Sequence, residues 1–210
     1  MQSLIFAFVV STSLLFNPIS GEPHEGIDSI VEMGHGILNE QGKATITGSR
    51  INIALKIKNY NPNLTFEQVD LIIKSVNKYC KKYNIPEGVV FAIIAAESKY
   101  YPKCRGSLDD TGLMQIREKY ASSWAKGMEI DYNGASTLYD IENNVHMGVY
   151  ILDFLFNRYD SQLDKVLIAY NRGHGYVDRA LKIGKKLPSD YLTLVEKHYK
   201  NIFEQRLQVS

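Results

Sequence analysis

The chain has 210 residues, of which 45% are hydrophobic and 22% are charged. This composition is typical of a folded globular domain and excludes a disordered or low-complexity chain. Residues 1–42 contain five acids and no Lys or Arg, whereas residues 43–210 contain 24 basic and 18 acidic side chains, a net charge of +6. That mild excess favours an anionic partner, but no dense Lys/Arg run indicates nucleic acid.

The first segment of the chain is apolar. An uninterrupted stretch poor in charge runs from Leu4 to Phe16 and is followed by Pro18 and small residues. Its length matches the core of a signal peptide and is too short to span a bilayer. We therefore predict that residues 1–20 are an export signal, with an uncleaved apolar N-terminal segment as the alternative. An export signal would place the protein in the periplasm, the cell envelope, the extracellular space or a virion.

Residues 21–62 are rich in Gly, Asn, Glu and Ser and are predicted to form a linker or arm. Within it, the partial alternation of "ATITGSRINIALKI" (44–57) predicts a short strand or hairpin. Asn61-Pro62-Asn63 marks a break in the chain. The arm is the segment in which we expect any docking to a cell-envelope, secretion or phage-assembly partner.

Residues 63–205 show helical periodicity and predict one compact all-α domain. Thr65 is the expected N-cap of the first helix, and Glu67 and Asp70 lie near its positive end. A second helix is predicted from about Glu87 to Tyr100. Further helices are predicted at about 142–159, 163–170, 175–184 and 188–205.

The second helix contains the first candidate for chemistry. Its sequence "AIIAAESKYYPK" (92–103) is a run of Ala and Ile that ends on a carboxylate, Glu97. A carboxyl group at the edge of an apolar face is poorly solvated, so its pKa should rise. A carboxyl that stays protonated near neutral pH can serve as a general acid. The alternative is an ordinary glutamate at a helix end that points into water.

The two cysteines, Cys80 and Cys104, lie on either side of the Glu97 helix. In an exported protein they could form one disulfide, and two buried free thiols are the alternative. The five histidines are scattered and show no zinc-ligand spacing, so neither a metal nor another cofactor is expected.

Four segments occur in a diagnostic order: Glu97-Ser98, "GLMQI" at Gly112–Ile116, "AYN" at Ala169–Asn171, and a late Tyr191. Together they resemble the catalytic domain of lytic transglycosylases of the soluble (SLT) type, relatives of goose-type lysozyme. Tyr100, Pro102 and Gly112 follow the glutamate at the family's spacing, and "LYDIENNVHMGVYIL" (138–152) resembles one of its helices. The resemblance covers about residues 70–200.

The resemblance implies a lysozyme-like helical fold and peptidoglycan glycan strands as the substrate. Glu97 would be the single acid/base that cleaves the β-1,4 bond between N-acetylmuramic acid and N-acetylglucosamine, leaving a 1,6-anhydro sugar. The residues to which the resemblance gives substrate-binding or supporting roles are Ser98, Met114, Gln115, Tyr170, Asn171 and Tyr191.

These roles differ in kind. Met114 and Gln115 would line the saccharide groove, and Tyr170 and Asn171 would contact sugar or orient the acid. Tyr191 would form a hydrogen bond with Glu97, and Ser98 would support the helix end. The alternatives are core packing for Met114 and Tyr170 and a simple helix C-terminus for Asn171.

One departure from the family pattern leaves the reaction open. Asp109 and Asp110 stand where the family usually has Gly-Ala. Two carboxyl groups with room for a water between them are the arrangement of an inverting hydrolase. A hydrolytic muramidase that uses Glu97 with Asp109 or Asp110 is therefore an alternative, and a non-catalytic glycan-binding or assembly protein is another.

Overall fold

A computed structural model of the protein describes residues 42–203, with side chains from residue 50 onward. The predicted export signal at residues 1–20 and the first half of the predicted arm lie outside the described residues. Among the described residues, no helix combines the length and apolar character needed to cross a bilayer. The helices in chain order are α1 Gly42–Tyr60, α2 Phe66–Tyr83, α3 Glu87–Ser98, α4 Glu118–Gly127, α5 Ala135–Tyr139, α6 Ile141–Arg158, α7 Leu163–Arg172, α8 His174–Lys182 and α9 Asp190–Phe203.

Helix α2 begins where the sequence predicts. The Thr65 hydroxyl accepts a hydrogen bond from the Gln68 amide (3.2 Å), and the Gln68 side chain accepts one from the Thr65 amide (3.0 Å). This capping box satisfies two amides that the helix itself leaves free. The helix ends at Tyr83 and is followed by Asn84, which adopts a left-handed conformation. Its buried face packs mainly against α6.

Helix α3 is the centre of the domain. Every side chain from Val90 to Ala95 is fully buried, and a helix that is apolar all round has to be enclosed by others. It packs mainly against α9 and also against α2. The helix ends at Ser98, two residues before the predicted end, because Lys99 and Tyr100 adopt left-handed conformations (φ of 50° and 62°). Glu97 therefore lies in the last turn.

The prediction of a strand or hairpin over residues 44–57 is wrong, since this segment belongs to α1. Ile53, Ile57 and Tyr60 recur at steps of four and three, which places them on one helical face. Ile57 is fully buried, and the Tyr60 hydroxyl lies 2.7 Å from Nδ1 of His198 on α9. The segment contains both a helical pattern and the alternation of polar and apolar residues that is typical of a strand. Packing of the helical face against the domain favours the helix. The packed helical unit accordingly includes residues within the segment predicted as an arm.

The two strands described form one short ribbon. Strand β1 (Asp110–Thr111) pairs in antiparallel fashion with β2 (Ile116–Arg117), and Asp110 is directly opposite Arg117. The segment between the strands contains "GLM" of the motif. The predicted all-α class is confirmed, with this ribbon as a local addition that lies against α5 and α6.

The two cysteines are free thiols. Cys80 is buried in α2, and this burial raises the pKa of its thiol. Cys104 is only partly buried and follows the end of α3. The structure therefore agrees with the free-thiol alternative, although one thiol is less enclosed than that alternative assumed.

Candidate active site

A cleft of about 720 Å³ opens beside the end of α3. Its walls come from the ribbon, from α4 and α6, and from the junction of α7 and α8. This volume is in the range of sites that enclose a small ligand. The charged and polar side chains that line the cleft include Glu97, Asp110, Gln115, Arg117, Asn171, Arg172, His174 and Arg179.

The Glu97 carboxyl group is largely removed from water at one wall of this cleft. Burial raises its pKa to about 7, the hydrogen bond from Tyr191 opposes the rise, and the negative charge of Asp110 adds to it. Desolvation disfavours the charged form of an acid, which explains the direction of the shift. Glu97 therefore exchanges a proton near neutral pH, as a group that both donates and accepts protons must.

Tyr191 on α9 is the direct partner of this acid. Its hydroxyl donates a hydrogen bond to Oε1 of Glu97 at 2.5 Å. The tyrosine is buried, and burial together with the nearby carboxylate raises its own pKa well above 10. The hydroxyl thus keeps its proton throughout the physiological range and remains a donor. This is the contact that the resemblance implied.

The motif segment next to Glu97 is held by a buried asparagine that the sequence analysis did not single out. Oδ1 of Asn144, on α6, accepts a hydrogen bond from the Met114 amide (2.8 Å). Its Nδ2 donates to the carbonyls of Thr111 (2.9 Å) and Leu138 (2.8 Å). The signal available in the sequence was the position of Asn144 four residues before Gly148, since this spacing belongs to the family helix that "LYDIENNVHMGVYIL" (138–152) resembles. One amide thus satisfies two backbone groups in the turn that shapes the cleft wall and ties that turn to α5 through the Leu138 carbonyl.

Two glycines allow this turn to approach the helices closely. Gly112 has a φ of +85°, and an added Cβ would lie 2.3 Å from the Leu138 carbonyl oxygen. A Cβ on Gly148 of α6 would lie 2.2 Å from the Met114 sulfur. Only residues without a Cβ fit at these contacts.

Met114 and Ser98 lie behind the cleft wall, not on it. Met114 is fully buried, and its side chain packs against Gly148. The Ser98 hydroxyl donates to the Leu113 carbonyl at 2.7 Å, with the Ile94 carbonyl at 3.2 Å. Ser98 therefore joins the end of α3 to the motif segment, and Met114 fills the core beneath it.

Gln115, Tyr170 and Asn171 do line the cleft. Gln115 adopts a left-handed conformation, and its Nε2 donates to the Gly112 carbonyl at 2.9 Å, which fixes the side chain across the turn. The Tyr170 hydroxyl donates to the Met114 carbonyl at 2.9 Å. Tyr170 thus braces the motif segment and does not donate to Glu97. Asn171 is exposed near the end of α7.

The two candidate aspartates occupy different places. Asp109 is exposed and pairs with Arg105 at 2.9 Å. Asp110 lines the cleft and pairs with Nε of Arg117 at 3.1 Å. Only Asp110 is therefore placed to act on a ligand in the cleft together with Glu97.

An aromatic group that the sequence analysis did not predict forms another part of the cleft. Phe154 of α6 packs edge-on against Trp124 of α4 and His174 of α8, with both ring centroids 5.5 Å away. Aromatic faces of this kind suit the apolar faces of ring-shaped ligands.

Among the described residues, no group of three or more His, Cys, Asp and Glu side chains is arranged to hold a metal ion.

Comparison with known proteins identifies the family. The family described as "Transglycosylase SLT domain" matches residues 74–192. A protein named membrane-bound lytic murein transglycosylase C from Klebsiella pneumoniae is 28% identical over 185 residues, which cover 77% of this chain and 50% of that protein. A protein of the same name from Serratia proteamaculans is 31% identical over 156 residues, 65% of this chain and 44% of the relative. The chain spans about half the length of these curated relatives.

The fold has a solved counterpart. The 70 kDa soluble lytic transglycosylase from Escherichia coli is similar with a TM-score of 0.51 at 23% identity, over 61% of this chain and 22% of that one. This likeness concerns the helical, lysozyme-like fold alone. The family match covers more than half of the chain and includes α3, the motif segment and "AYN". The chain therefore belongs to the transglycosylase SLT domain family.

Proposed function

We propose that the protein is a peptidoglycan lytic transglycosylase that uses Glu97 as its single acid/base. The observation that carries the proposal is a buried carboxyl group with a pKa of about 7 at the wall of a cleft. Membership of the SLT family and the names of the relatives support the substrate class. A carboxyl group that titrates near neutral pH is suited to donate a proton first and accept one later.

The reaction needs only this carboxyl group and the substrate. Protonated Glu97 gives its proton to the glycosidic oxygen between N-acetylmuramic acid and N-acetylglucosamine as the bond to C1 breaks. The resulting carboxylate then takes the proton of the muramyl 6-hydroxyl while that oxygen bonds to C1. The product is a 1,6-anhydro sugar, no water is consumed, and Glu97 regains its starting state.

Other groups would position these steps. The Tyr191 hydroxyl stabilises the carboxylate form of Glu97 through its short hydrogen bond. Tyr170 and Asn144 hold the motif segment, and Gln115 and Asn171 present amides to the cleft. We further propose action in the cell envelope, where a peptidoglycan substrate would be found and where the relatives' printed name, "membrane-bound", points.

Hydrolysis is the second candidate reaction, and one observation favours it. Asp110 lies in the same cleft as Glu97, and its charge helps to raise the pKa of the acid. A second carboxylate could activate water against C1, as in inverting glycosidases. The bond between Asp110 and Arg117 opposes this role.

The test is mass spectrometry of purified peptidoglycan digested by the protein. We expect fragments that end in 1,6-anhydromuramic acid, lighter by one water than hydrolysis products. Glu97→Gln should lower their release by about a thousandfold, since general acid–base catalysis contributes on this scale. The matched control is Glu129→Gln, an exposed glutamate outside the cleft lining, which should keep the wild-type rate. Reducing-end muramic acid from the wild type, or a Glu97→Gln variant with wild-type rates, would contradict the proposal.

A further inference from the structure

The ribbon places an opposite-charge pair directly on the cleft wall. Asp110 and Arg117 are cross-strand partners in the antiparallel ribbon, and both line the cleft. Directly opposed residues project to the same face of a two-stranded ribbon, where opposite charges attract. Nε of Arg117 lies 3.1 Å from Oδ1 of Asp110. The register of the ribbon thus determines what holds this carboxylate.

We infer that Arg117 directs the outcome of the reaction: by holding the Asp110 carboxylate, it keeps Asp110 from activating water and favours the 1,6-anhydro product. The inference rests on the proposed function. A guanidinium donor occupies a lone pair of Oδ1 and fixes the direction of the carboxylate. The bond draws the carboxylate towards Arg117 and competes at Oδ1 with a water molecule in the cleft, so Asp110 is poorly placed to take a proton from that water.

The same cleft would otherwise contain the parts of an inverting hydrolase. Such an enzyme needs one carboxylic acid for the leaving oxygen and one carboxylate that activates water. Glu97 supplies the first, and Asp110 is near enough for its charge to raise the pKa of Glu97. Arg117 is therefore a specificity-determining residue in this arrangement, because it controls whether the second carboxylate is available.

Removing Arg117 should release Asp110 without dissolving the ribbon, because separate contacts hold the strands. Arg105 pairs with Asp109 and Glu118, both at 2.9 Å. The Thr111 hydroxyl donates to Glu118 at 2.8 Å, and the Glu118 amide donates to the Asp109 carbonyl at 3.1 Å. The Arg117 side chain is 42% exposed, and ion pairs this open to water contribute little to stability.

The two outcomes differ in one bond. In the wild type, the muramyl 6-oxygen bonds to C1 and its proton returns to Glu97. In Arg117→Gln, the oxygen of a water molecule would bond to C1, one of its protons would pass to Asp110, and the other would remain on the new hydroxyl. In both cases the proton of Glu97 goes to the leaving oxygen.

The experiment digests peptidoglycan in water enriched in oxygen-18, with immediate borohydride reduction and mass spectrometry. Anhydro ends contain no solvent oxygen and resist reduction, whereas hydrolytic ends contain oxygen-18. We expect Arg117→Gln to raise the ratio of hydrolytic to anhydro ends by about tenfold, a modest share of what a positioned base contributes. Arg117→Lys, which keeps a donor and the charge, should restore much of the wild-type ratio.

Two further variants separate chemistry from damage to the ribbon. Arg117→Gln combined with Asp110→Asn should return the ratio to the wild-type value, since the base is gone. Arg105→Gln, which weakens the same ribbon at its exposed side, should leave the ratio unchanged. An unchanged ratio in Arg117→Gln, or a raised ratio that persists in the double variant, overturns the inference. Absence of anhydro ends from the wild type would overturn the proposed function instead.

Discussion

Two walls of the cleft are built on opposite principles. The helical wall comprises Glu97 at the end of α3 and Tyr170 of α7, with Tyr191 of α9 packed behind them against Glu97. The loop wall comprises residues 104–117, whose backbone turns are held by hydrogen bonds and ion pairs. On the helical wall, loss of water changes the proton affinity of one carboxyl group. On the loop wall, satisfied polar groups fix positions while charges stay close to solvent. Burial thus tunes the chemistry, and hydrogen bonding supplies the geometry.

The largest expected effect is a loss of stability in a variant that removes the hydrogen bonds of the loop wall. Asn144→Ala removes one side chain that satisfies the Met114 amide and the carbonyls of Thr111 and Leu138. Buried polar groups left without partners cost about 1–3 kcal/mol each, so we expect a loss of about 4 kcal/mol in the free energy of unfolding. Urea denaturation measures this loss.

The neighbouring asparagine is the matched control for this prediction. Asn143 is partly buried, and no hydrogen bond of its side chain to another described residue is present. Asn143→Ala should therefore cost less than about 0.5 kcal/mol. Equal losses for the two variants would show that Asn144 does not hold the loop wall.

The second prediction tests the helical wall through pH. The pKa of Glu97 is about 7 in the folded protein and 4.5 in its ordinary state. Because the folded pKa is the higher one, the stabilising contribution is complete below pH 4.5 and is lost as pH rises through about 7. Glu97→Gln removes this loss, so the variant should be more stable than the wild type at pH 8 by up to about 3 kcal/mol. The two proteins should be similar at pH 4.

Urea denaturation of both proteins at several pH values measures this difference. Glu129→Gln, at an exposed site, should follow the wild-type curve throughout. A Glu97→Gln curve parallel to that of the wild type would mean that burial does not tune this carboxyl group.

The third prediction concerns the hydrogen bond from Tyr191 to Glu97, which limits the rise in the pKa of Glu97. Tyr191→Phe removes the hydroxyl that donates to Glu97 and lowers its pKa. The pKa of Glu97 should rise, so the alkaline limb of the pH–rate profile should move to higher pH. We expect the rate at neutral pH to fall by about tenfold, as for one lost hydrogen bond to a charged group.

The control for Tyr191 is another tyrosine hydroxyl that donates to a glutamate, but one outside the cleft lining. The Tyr79 hydroxyl donates to Glu142 at 2.8 Å, between α2 and α6. Tyr79→Phe should leave the rate and its pH profile unchanged. A Tyr191→Phe enzyme with the wild-type profile would reduce Tyr191 to a packing residue.

The smallest expected effect tests the link between the two walls. The Tyr170 hydroxyl on the helical wall donates to the Met114 carbonyl on the loop wall. Tyr170→Phe should cost about 1 kcal/mol of stability and lower the rate without moving its pH dependence, since the hydroxyl does not contact Glu97. A clear shift of the pH profile would show that Tyr170 acts on the acid itself.

The elements that the sequence predicted well are those with local causes. The apolar period of α2 and its Thr65 cap, the apolar run of α3, and the later helices follow from residues within about one turn of each other. Glu97 could also be selected as the candidate general acid, because a carboxylate at the end of an apolar run can be recognised in the sequence. The order and spacing of the motifs indicated the family, which the family match to residues 74–192 bears out.

The predictions from sequence were wrong or incomplete for features that depend on contacts between residues far apart in the chain. Residues 44–57 contain both an alternating and a helical pattern, and contact of Ile57 and Tyr60 with the domain selects the helix. The spacing of Asn144 and Gly148 was visible in the sequence, but the role of Asn144 appeared only when the fold placed it against the turn of the motif segment. Met114 was predicted at the groove, but its side chain is in the core and its carbonyl serves Tyr170.

The sequence by itself therefore determined the helical class, the family and the candidate acid, Glu97. Tertiary structure alone decided how far that acid is removed from water and which charge lies near it, namely that of Asp110 held by Arg117, whereas the resemblance had already implied the contact with Tyr191. The physical reason is that a pKa depends on the solvent and charges within a few ångströms in space, whereas a sequence pattern records neighbours along the chain.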